Sequence, residues 1–218
     1  MFPRLILDRM ALPHRDAELL QIMDAAFVDA AARSGPWLLC RTGCTQCCHG
    51  AFAINALDAM RLEKGMDDLR TNNPSLAGQI EHRTHAWLEQ YGSDFPGDLA
   101  TGTLGQSDEE VQLFESFADD APCPALNPGT GLCDVYAWRP MTCRVFGPPV
   151  RMGEGDSLGH CELCFHGATE TEVAACEMAL PHELENSVVE ELGDSRETLV
   201  AFALLRSSLP GKPSDSPR

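Results

Sequence analysis

Positively charged side chains are scarce in this sequence of 218 residues. It contains 16 Lys and Arg against 33 Asp and Glu, so its formal net charge at pH 7 is −17 with the histidines neutral. Proteins bind nucleic acid largely by neutralising its phosphates with Lys and Arg, so we expect no nucleic-acid partner. A surface of this charge either serves solubility alone or suits a basic segment of a partner protein.

Long apolar runs are also missing. The brief apolar stretch at the start is interrupted by Arg4, Asp8 and Arg9, and no small-residue cleavage site follows it, so no secretory signal is predicted. No segment approaches the roughly 18 consecutive apolar residues that would cross a bilayer. We therefore expect a cytoplasmic protein without a membrane partner.

The sequence shows neither internal repeats nor convincing strand alternation. Apolar residues recur instead at helical spacing, which indicates amphipathic helices. The predicted helices cover residues 14–33, 54–66, 75–91, 107–117, 169–180, 183–192 and 194–207. Asn55 is a predicted N-cap and Gly65 is placed near the end of its helix. Residues 91–106 are rich in turn residues and are predicted to form a surface loop.

These patterns predict a mainly α fold with a single metal-binding domain over residues 1–208. Its cysteine-cluster core spans about residues 37–166, of which 121–166 carry six prolines and little helical periodicity. We expect that region to be irregular, proline-rich loop structure built around a metal centre. The polar tail at 209–218 is predicted to be disordered.

Ten cysteines dominate the chemistry of the sequence. In a reducing compartment ordinary cysteine pairs stay reduced, so a cluster usually binds metal or acts in catalysis. The first four have the spacing C-x3-C-x2-C-C and are Cys40, Cys44, Cys47 and Cys48. Either a helical turn or a turn through Gly43 brings their sulfurs together. Side chains of adjacent residues diverge, so Cys47 and Cys48 suit two metals or one polynuclear cluster better than one tetrahedral ion.

A second group of cysteines follows at regular spacing. Cys123, Cys133 and Cys143 lie ten residues apart, and nearby prolines restrict the backbone of the loops that carry them. Arg144, next to Cys143, is expected either to compensate thiolate charge or to form an ordinary salt bridge.

The ordered set of cysteine elements resembles a bacterial family, the YkgJ-like or CxxCxxCC proteins, which chelate zinc or iron. The resemblance covers about residues 40–165. Its elements are the cysteine run at 40–48, Cys-Pro-x-Leu at 123–126, Cys-x-x-Tyr at 133–136, Arg-Pro-x-x-Cys-Arg at 139–144 and one further cysteine. Cys161 is preferred as that last cysteine, and Cys164 is the alternative. The resemblance implies metal binding without defining an activity.

The residues and the resemblance together predict a cysteine-ligated metal site. Its candidate ligands are Cys40, Cys44, Cys47, Cys48, Cys123, Cys133, Cys143, Cys161 and Cys164. Thiolates favour zinc or iron–sulfur clusters over magnesium, calcium or manganese, and eight cysteines are enough for two four-cysteine sites. The run at 40–48 favours an iron–sulfur cluster, [4Fe–4S] first, over zinc. The predicted function is metal handling or electron transfer.

Other functions remain open. One is a metal-dependent enzyme that modifies a protein side chain, because flagellin lysine methylases look like carriers of this cysteine cluster; another is a structural zinc protein. The run at 40–47 also has the spacing of radical S-adenosylmethionine enzymes, which usually carry an aromatic residue where this chain has Gln46. Cys161-x2-Cys164 can be read as a redox dithiol, although no strand-then-helix pattern surrounds it.

Some residues beside the candidate ligands are interpreted as neighbours rather than ligands. His49, His160 and His166 are expected to face solvent or to form hydrogen bonds. Cys176 lies in an alanine-rich helical segment and is expected to pack in the core.

Overall fold

The computed structural model describes residues 11–151 and 157–206 of the chain. Within these ranges 53% of the residues are helical and the strands form only small two-stranded sheets, which confirms the prediction of a mainly α fold. The tail at 209–218, predicted to be disordered, lies outside the described residues, as does the apolar stretch at the start of the chain.

Eight α-helices occur in the described part of the chain. They are α1 (Asp16–Ser34), α2 (Ala56–Asn72), α3 (Pro74–Tyr91), α4 (Asp108–Phe114), α5 (Met141–Val145), α6 (Glu170–Ala175), α7 (His182–Leu192) and α8 (Val200–Leu205). None of these described helices has the length and apolar character needed to cross a membrane.

Six short strands pair into three antiparallel ladders within the same ranges. They are β1 (Ala53–Ile54), β2 (Gly97–Asp98), β3 (Thr103–Leu104), β4 (Val150–Arg151), β5 (Leu158–Gly159) and β6 (Thr198–Leu199). β1 pairs with β6, β2 with β3 and β4 with β5. The β1–β6 pair places the segment before α8 beside the start of α2.

Helix starts follow the side-chain caps that the sequence indicates. Asn55 accepts a hydrogen bond from the backbone N–H of Asp58 at 2.9 Å, so its prediction as an N-cap is confirmed. Ser107 and Glu110 form a reciprocal capping box at the start of α4. Each cap satisfies amides that have no partner in the first turn and stabilises its helix by about 1 kcal/mol.

Gly65 lies inside α2 rather than near its end. α2 continues to Asn72, and the ring of Trp138 packs over Gly65 so closely that a Cβ atom there would lie 2.5 Å from ring carbons. The expectation of a helix end at this glycine is wrong because the residue permits close packing instead of forming a C-cap.

Tertiary pairing shortens the last predicted helix. Of the described residues of this predicted helix, 194–206, only 200–205 form α8, since β6 precedes it and pairs with β1. The predicted loop at 91–106 contains the β2–β3 hairpin, and Leu104 donates its backbone N–H to the carbonyl of Glu197 at 2.9 Å. Strands this short carry too few alternating residues to be read from the sequence.

The core centres on α2, which packs against α3 and α8. Leu62 of α2 meets Ile80 of α3 and Leu204 of α8 in one buried cluster. Cys123 and Cys133 pack against the edge of this cluster. The helical core therefore supports the loops that carry the cysteines.

Gly65→Ala is expected to lower the free energy of unfolding by about 1–3 kcal/mol, because the added methyl group overlaps the ring of Trp138. Gly78→Ala is the matched control, since nothing lies within 4 Å of a Cβ atom at that position of α3. The control is expected to stabilise the protein by up to about 1 kcal/mol through helix propensity. Urea denaturation measures both changes, and a stabilising effect of Gly65→Ala would contradict the close packing.

Candidate metal centre

The first cysteine run is built around turns rather than a helix. Cys44 donates its backbone N–H to the carbonyl of Arg41 at 2.9 Å, and Gly43 has a φ of +85°, which glycine adopts without strain. A 3-10 turn follows at Gln46–Cys48. The structure adopts the turn through Gly43, which lies between Cys40 and Cys44, but this turn does not gather all four sulfurs, since Cys47 and Cys48 lie with Cys123 instead.

Backbone pairing brings the second cysteine group to the first. Cys123 donates its backbone N–H to the carbonyl of Cys48 at 2.7 Å. Cys133 forms an antiparallel bridge with Leu126, three residues after Cys123. Two separate stretches of chain are thus fixed beside the adjacent pair at 47 and 48.

Cys143 is carried by the short helix α5, which packs against α1. The neighbouring Arg144 is buried and donates hydrogen bonds to Asp24 at 2.9 Å and to the carbonyl of Ala137 at 2.7 Å. Of the two roles predicted for Arg144, the structure contains the salt bridge.

Five thiols affect one another's ionisation, and we call them the five-thiol group: Cys47, Cys48, Cys123, Cys133 and Cys143. Burial, with smaller contributions from the thiols of Cys133 and Cys47, raises the pKa of Cys123 to about 12. Burial also raises the pKa of Cys143 well above its usual value, and the thiols of Cys123, Cys133 and Cys47 add to the effect. The five thiols therefore lie within electrostatic range of one another.

Cys47 is the exception within the five-thiol group. A hydrogen bond from the Cys48 thiol, assisted by a backbone N–H and the positive charge of Arg139, lowers the pKa of Cys47 to about 6 despite burial. The same hydrogen bond is the largest cause that raises the pKa of Cys48. At neutral pH the adjacent pair therefore shares one proton, with Cys47 as the thiolate.

The positive charge of Arg139 lowers the pKa of thiols in this group. The sequence predicts such a role for Arg144 and not for Arg139. The Arg139 guanidinium lies 3.9 Å from the centre of the Tyr136 ring, and its Nη1 donates to the Tyr136 carbonyl at 2.9 Å. Burial raises the pKa of Cys133, and the charge of Arg139 opposes this rise. Arg139 opens the Arg-Pro-x-x-Cys-Arg element, which is the sequence signal that could have identified it.

The other four candidate ligands, Cys40, Cys44, Cys161 and Cys164, form what we call the four-thiol group. Burial, with contributions from the thiols of Cys164, Cys161 and Cys44, raises the pKa of Cys40 to about 12. Leu39 donates its backbone N–H to the sulfur of Cys164 at 3.3 Å. The structure brings Cys161 and Cys164 together in this group, so it gives no reason to prefer Cys161 as the eighth ligand.

Gly147 makes room for the four-thiol group. Its φ is +127°, and a Cβ atom there would lie 2.8 Å from the sulfur of Cys40. Its carbonyl accepts the backbone N–H of Cys161 at 3.2 Å. One glycine therefore contacts both of the loops that supply this group.

Backbone amides donate hydrogen bonds to sulfur in both groups. The donors are Ala125 and Leu126 to Cys123, Val135 to Cys133 and Leu163 to Cys161. At each of these cysteines burial raises the pKa and the hydrogen bonds lower it. Such bonds stabilise the thiolate, which is the form that binds metal.

The two groups are sets of neighbouring thiols rather than finished coordination spheres. Across residues 11–151 and 157–206, no three His, Cys, Asp or Glu side chains converge as they stand to hold a metal ion. The donors are nevertheless all sulfur, which fits zinc or iron–sulfur chemistry. Binding would require the side chains to turn towards a sulfur–metal distance of about 2.3 Å and to lose their protons.

The flanking histidines lie as hydrogen-bonding or exposed neighbours. The Nδ1 atoms of His49 and His160 lie 3.0 and 3.1 Å from backbone carbonyls, and His166 is exposed. Cys176 is 5% exposed and packs in a cluster that includes Cys161, as expected for a core residue.

A family model described as "CxxCxxCC: Putative zinc- or iron-chelating domain" matches residues 39–164, more than half of the chain. The matched range contains all nine cysteines of the two groups and leaves out Cys176. No curated protein and no solved structure matches the chain.

In the reduced, metal-free protein, Cys47 is expected to react with iodoacetamide with a midpoint near pH 6, because the thiolate is the reactive form. The reaction slows as the pH falls through this value and the sulfur gains its proton. Cys48→Ala removes the hydrogen-bond donor and is expected to raise the midpoint, whereas Cys48→Ser keeps a hydroxyl donor and serves as the control. Mass spectrometry of alkylated peptides measures the profiles, and identical midpoints for both variants would contradict the hydrogen bond.

Proposed function

Because the chain belongs to the CxxCxxCC family of zinc- or iron-chelating domains, we propose that it binds metal at two separate all-thiolate centres. The four-thiol group supplies one centre and the five-thiol group supplies the other. The observation that carries this proposal is the separate anchoring of the two groups: Cys123 is bonded to Cys48 through the backbone, whereas Gly147 contacts both Cys40 and Cys161.

The five-thiol group is proposed to hold a [4Fe–4S] cluster. A structural zinc ion and a [4Fe–4S] cluster each take four cysteine ligands, so the five thiols here supply one more than either requires. A polynuclear cluster takes its ligands from a wider span than a single ion does, which suits the adjacent Cys47 and Cys48. When bound, such a cluster supplies one-electron redox chemistry.

The chain's own residues tune this centre. Arg139 places positive charge near Cys47 and Cys133, and backbone amides donate to Cys123 and Cys133. Hydrogen bonds to sulfur and nearby charge are the means by which a protein sets the reduction potential of a cluster. These features support electron transfer or metal handling as the function.

Zinc is a second candidate for the four-thiol group. Four cysteine sulfurs are the complement of a closed structural zinc site. The group also joins distant parts of the chain, since Phe165 donates its backbone N–H to the carbonyl of Trp37 at 3.0 Å beside it. A zinc ion there would stabilise the fold, and a second cluster would do the same.

A catalytic centre has less support. It would need an open coordination position beside a space for substrate. The cavity lined by Cys123, Pro124 and Trp87 has a volume of about 20 Å³, which is close to the space of one water molecule. A larger cavity of about 260 Å³ lies beside α5, lined in part by Asp58, Met141 and Thr142, and none of its lining residues is a candidate ligand. We therefore favour metal handling or electron transfer over modification of a protein side chain.

We place this function in the cytoplasm because the ten cysteines are free thiols, which suits a reducing compartment. The net charge of −17 suits a partner with a basic segment. Leu39, Tyr136 and Leu163 are 50%, 62% and 40% exposed beside candidate ligands and offer apolar contact area for that partner.

Protein purified without oxygen is expected to be brown and to contain iron with matching acid-labile sulfide. Cys143→Ser is expected to lose the metal of the five-thiol centre and Cys44→Ser that of the four-thiol centre, each with lower thermal stability. Cys176→Ser is the control for metal content, because this buried cysteine packs beside Cys161 but lies outside the matched range and is not a candidate ligand. Visible absorption with iron, zinc and sulfide analysis measures all four proteins.

Colourless protein with stoichiometric zinc would contradict the cluster and support zinc in its place. Equal metal content in the three variants would contradict the two-centre assignment itself.

A further inference from the structure

Asp58, on α2, caps a helix to which it does not belong. Both oxygens of its carboxylate accept the backbone N–H of Met141 at 3.0 Å. Met141 is the first residue of α5, and both residues are buried, with 2% and 6% exposed. α2 thus supplies the N-terminal cap of the helix that carries Cys143.

α5 depends on an external cap because of its own sequence. The residue before its first turn is Pro140, whose side chain has no acceptor, and no side chain next to the helix caps it. Amides in the first turn have no partner within a helix, and burying one without an acceptor is destabilising.

Asp58 is itself held by a buried ion cluster. Arg61 donates from Nη1 to Asp58 at 2.6 Å and from Nε to Asp16 at 2.8 Å. The exposed fractions of Asp16, Asp58 and Arg61 are 5%, 2% and 2%, so each charge relies on the others for its hydrogen bonds. Asp16 begins α1, and the cap therefore joins α1, α2 and α5.

Cys143 is the third residue of α5 and lies within one turn of the cap. The helix has only five residues, so unravelling of its first turn would move the Cys143 sulfur relative to the other four thiols. Its far end is held separately, because Arg144 donates to Asp24 and to the carbonyl of Ala137. The Asp58 cap, together with the packing of Met141 in the buried cluster that contains Met23 and Leu57, fixes the N-terminal half, where Cys143 lies.

We propose that Asp58 is a positioning residue for the five-thiol centre: by capping α5 it fixes the place of the Cys143 sulfur, and Arg61 and Asp16 hold Asp58 for that task. The inference rests on the proposed function, since it assigns a supporting residue to one of the two proposed centres. It also states that the effect is confined to that centre, because Asp58 has no contact with the loops of the four-thiol group among the described hydrogen bonds.

The test compares Asp58→Ala, Asp58→Asn and Asp68→Ala in the full, metal-loaded protein. Asp58→Ala removes the cap, and release of iron from the five-thiol centre to a chelator is expected to be about 10- to 100-fold faster, as for other residues that orient metal ligands. Asp58→Asn keeps an oxygen where Oδ1 accepts from both Arg61 and Met141, so it is expected to bring the rate back towards that of the wild type. Asp68→Ala changes an exposed acid of the same helix and is expected to have no effect.

The iron that Cys143→Ser lacks defines the content of the five-thiol centre. If Asp58→Ala releases iron faster from that centre alone and Asp58→Asn reverses the effect, the proposal is supported. If Asp58→Ala releases iron at the wild-type rate, the proposal is overturned. If Asp58→Ala loses both metals by unfolding, Asp16→Asn decides, since it weakens the hold of Arg61 on the capping carboxylate without removing that carboxylate. If Asp16→Asn then releases metal faster from the five-thiol centre alone, the proposal is supported. If its release rate changes equally at both centres, or at neither, the proposal is overturned. Wild-type protein with no metal at the five-thiol centre would instead refute the proposed function.

Discussion

Burial of the thiols disfavours the thiolate, which is the form that binds metal. The other features of the metal site act against this effect of burial. Burial is the largest cause that raises the pKa values of Cys40 and Cys123 to about 12, so these sulfurs keep their protons at neutral pH while no metal is bound. A metal must displace those protons, and its apparent affinity therefore falls as the pH falls. Cys47, whose pKa is lowered to about 6, is the one described thiol of the five-thiol group that is ready to bind at neutral pH.

The protein offsets part of this cost with backbone amides rather than with many cations. Lys and Arg number 16 in the chain, and of these Arg139 is a cation that lowers the pKa of Cys47. Amide donors at Ala125, Leu126 and Val135 stabilise charge on sulfur through dipoles that the turns hold in place. Backbone amides held by the loops thus stabilise thiolate charge, as Lys and Arg side chains do in other proteins. This is consistent with a metal site on a strongly acidic protein.

The helices and the candidate cysteines could be predicted from local pattern, whereas the grouping of the cysteines could not. The caps at Asn55 and Ser107 use short-range rules, and the structure contains both. Cys44 and Cys47 are close in sequence yet fall in different groups, because the carbonyl of Cys48 pairs with the backbone of Cys123. The prediction of a helix end near Gly65 also fails because of a long-range contact, since this glycine packs against Trp138, far along the chain. Periodicity encodes neither of these long-range contacts.

The short connection between the groups limits how far apart the two proposed centres would lie. Cys44 and Cys47 are three residues apart, so their Cα atoms are separated by at most about 11 Å even in an extended chain. The 3-10 turn at 46–48 shortens that reach, and a hydrogen bond from Gln46 to Glu162 holds the connection on the four-thiol side. Two centres at this spacing, without a shared ligand, require the chain to turn sharply between them. The turn at Gln46–Cys48 meets this need, whereas Gly43, with its positive φ, turns the chain between Cys40 and Cys44 within the four-thiol group.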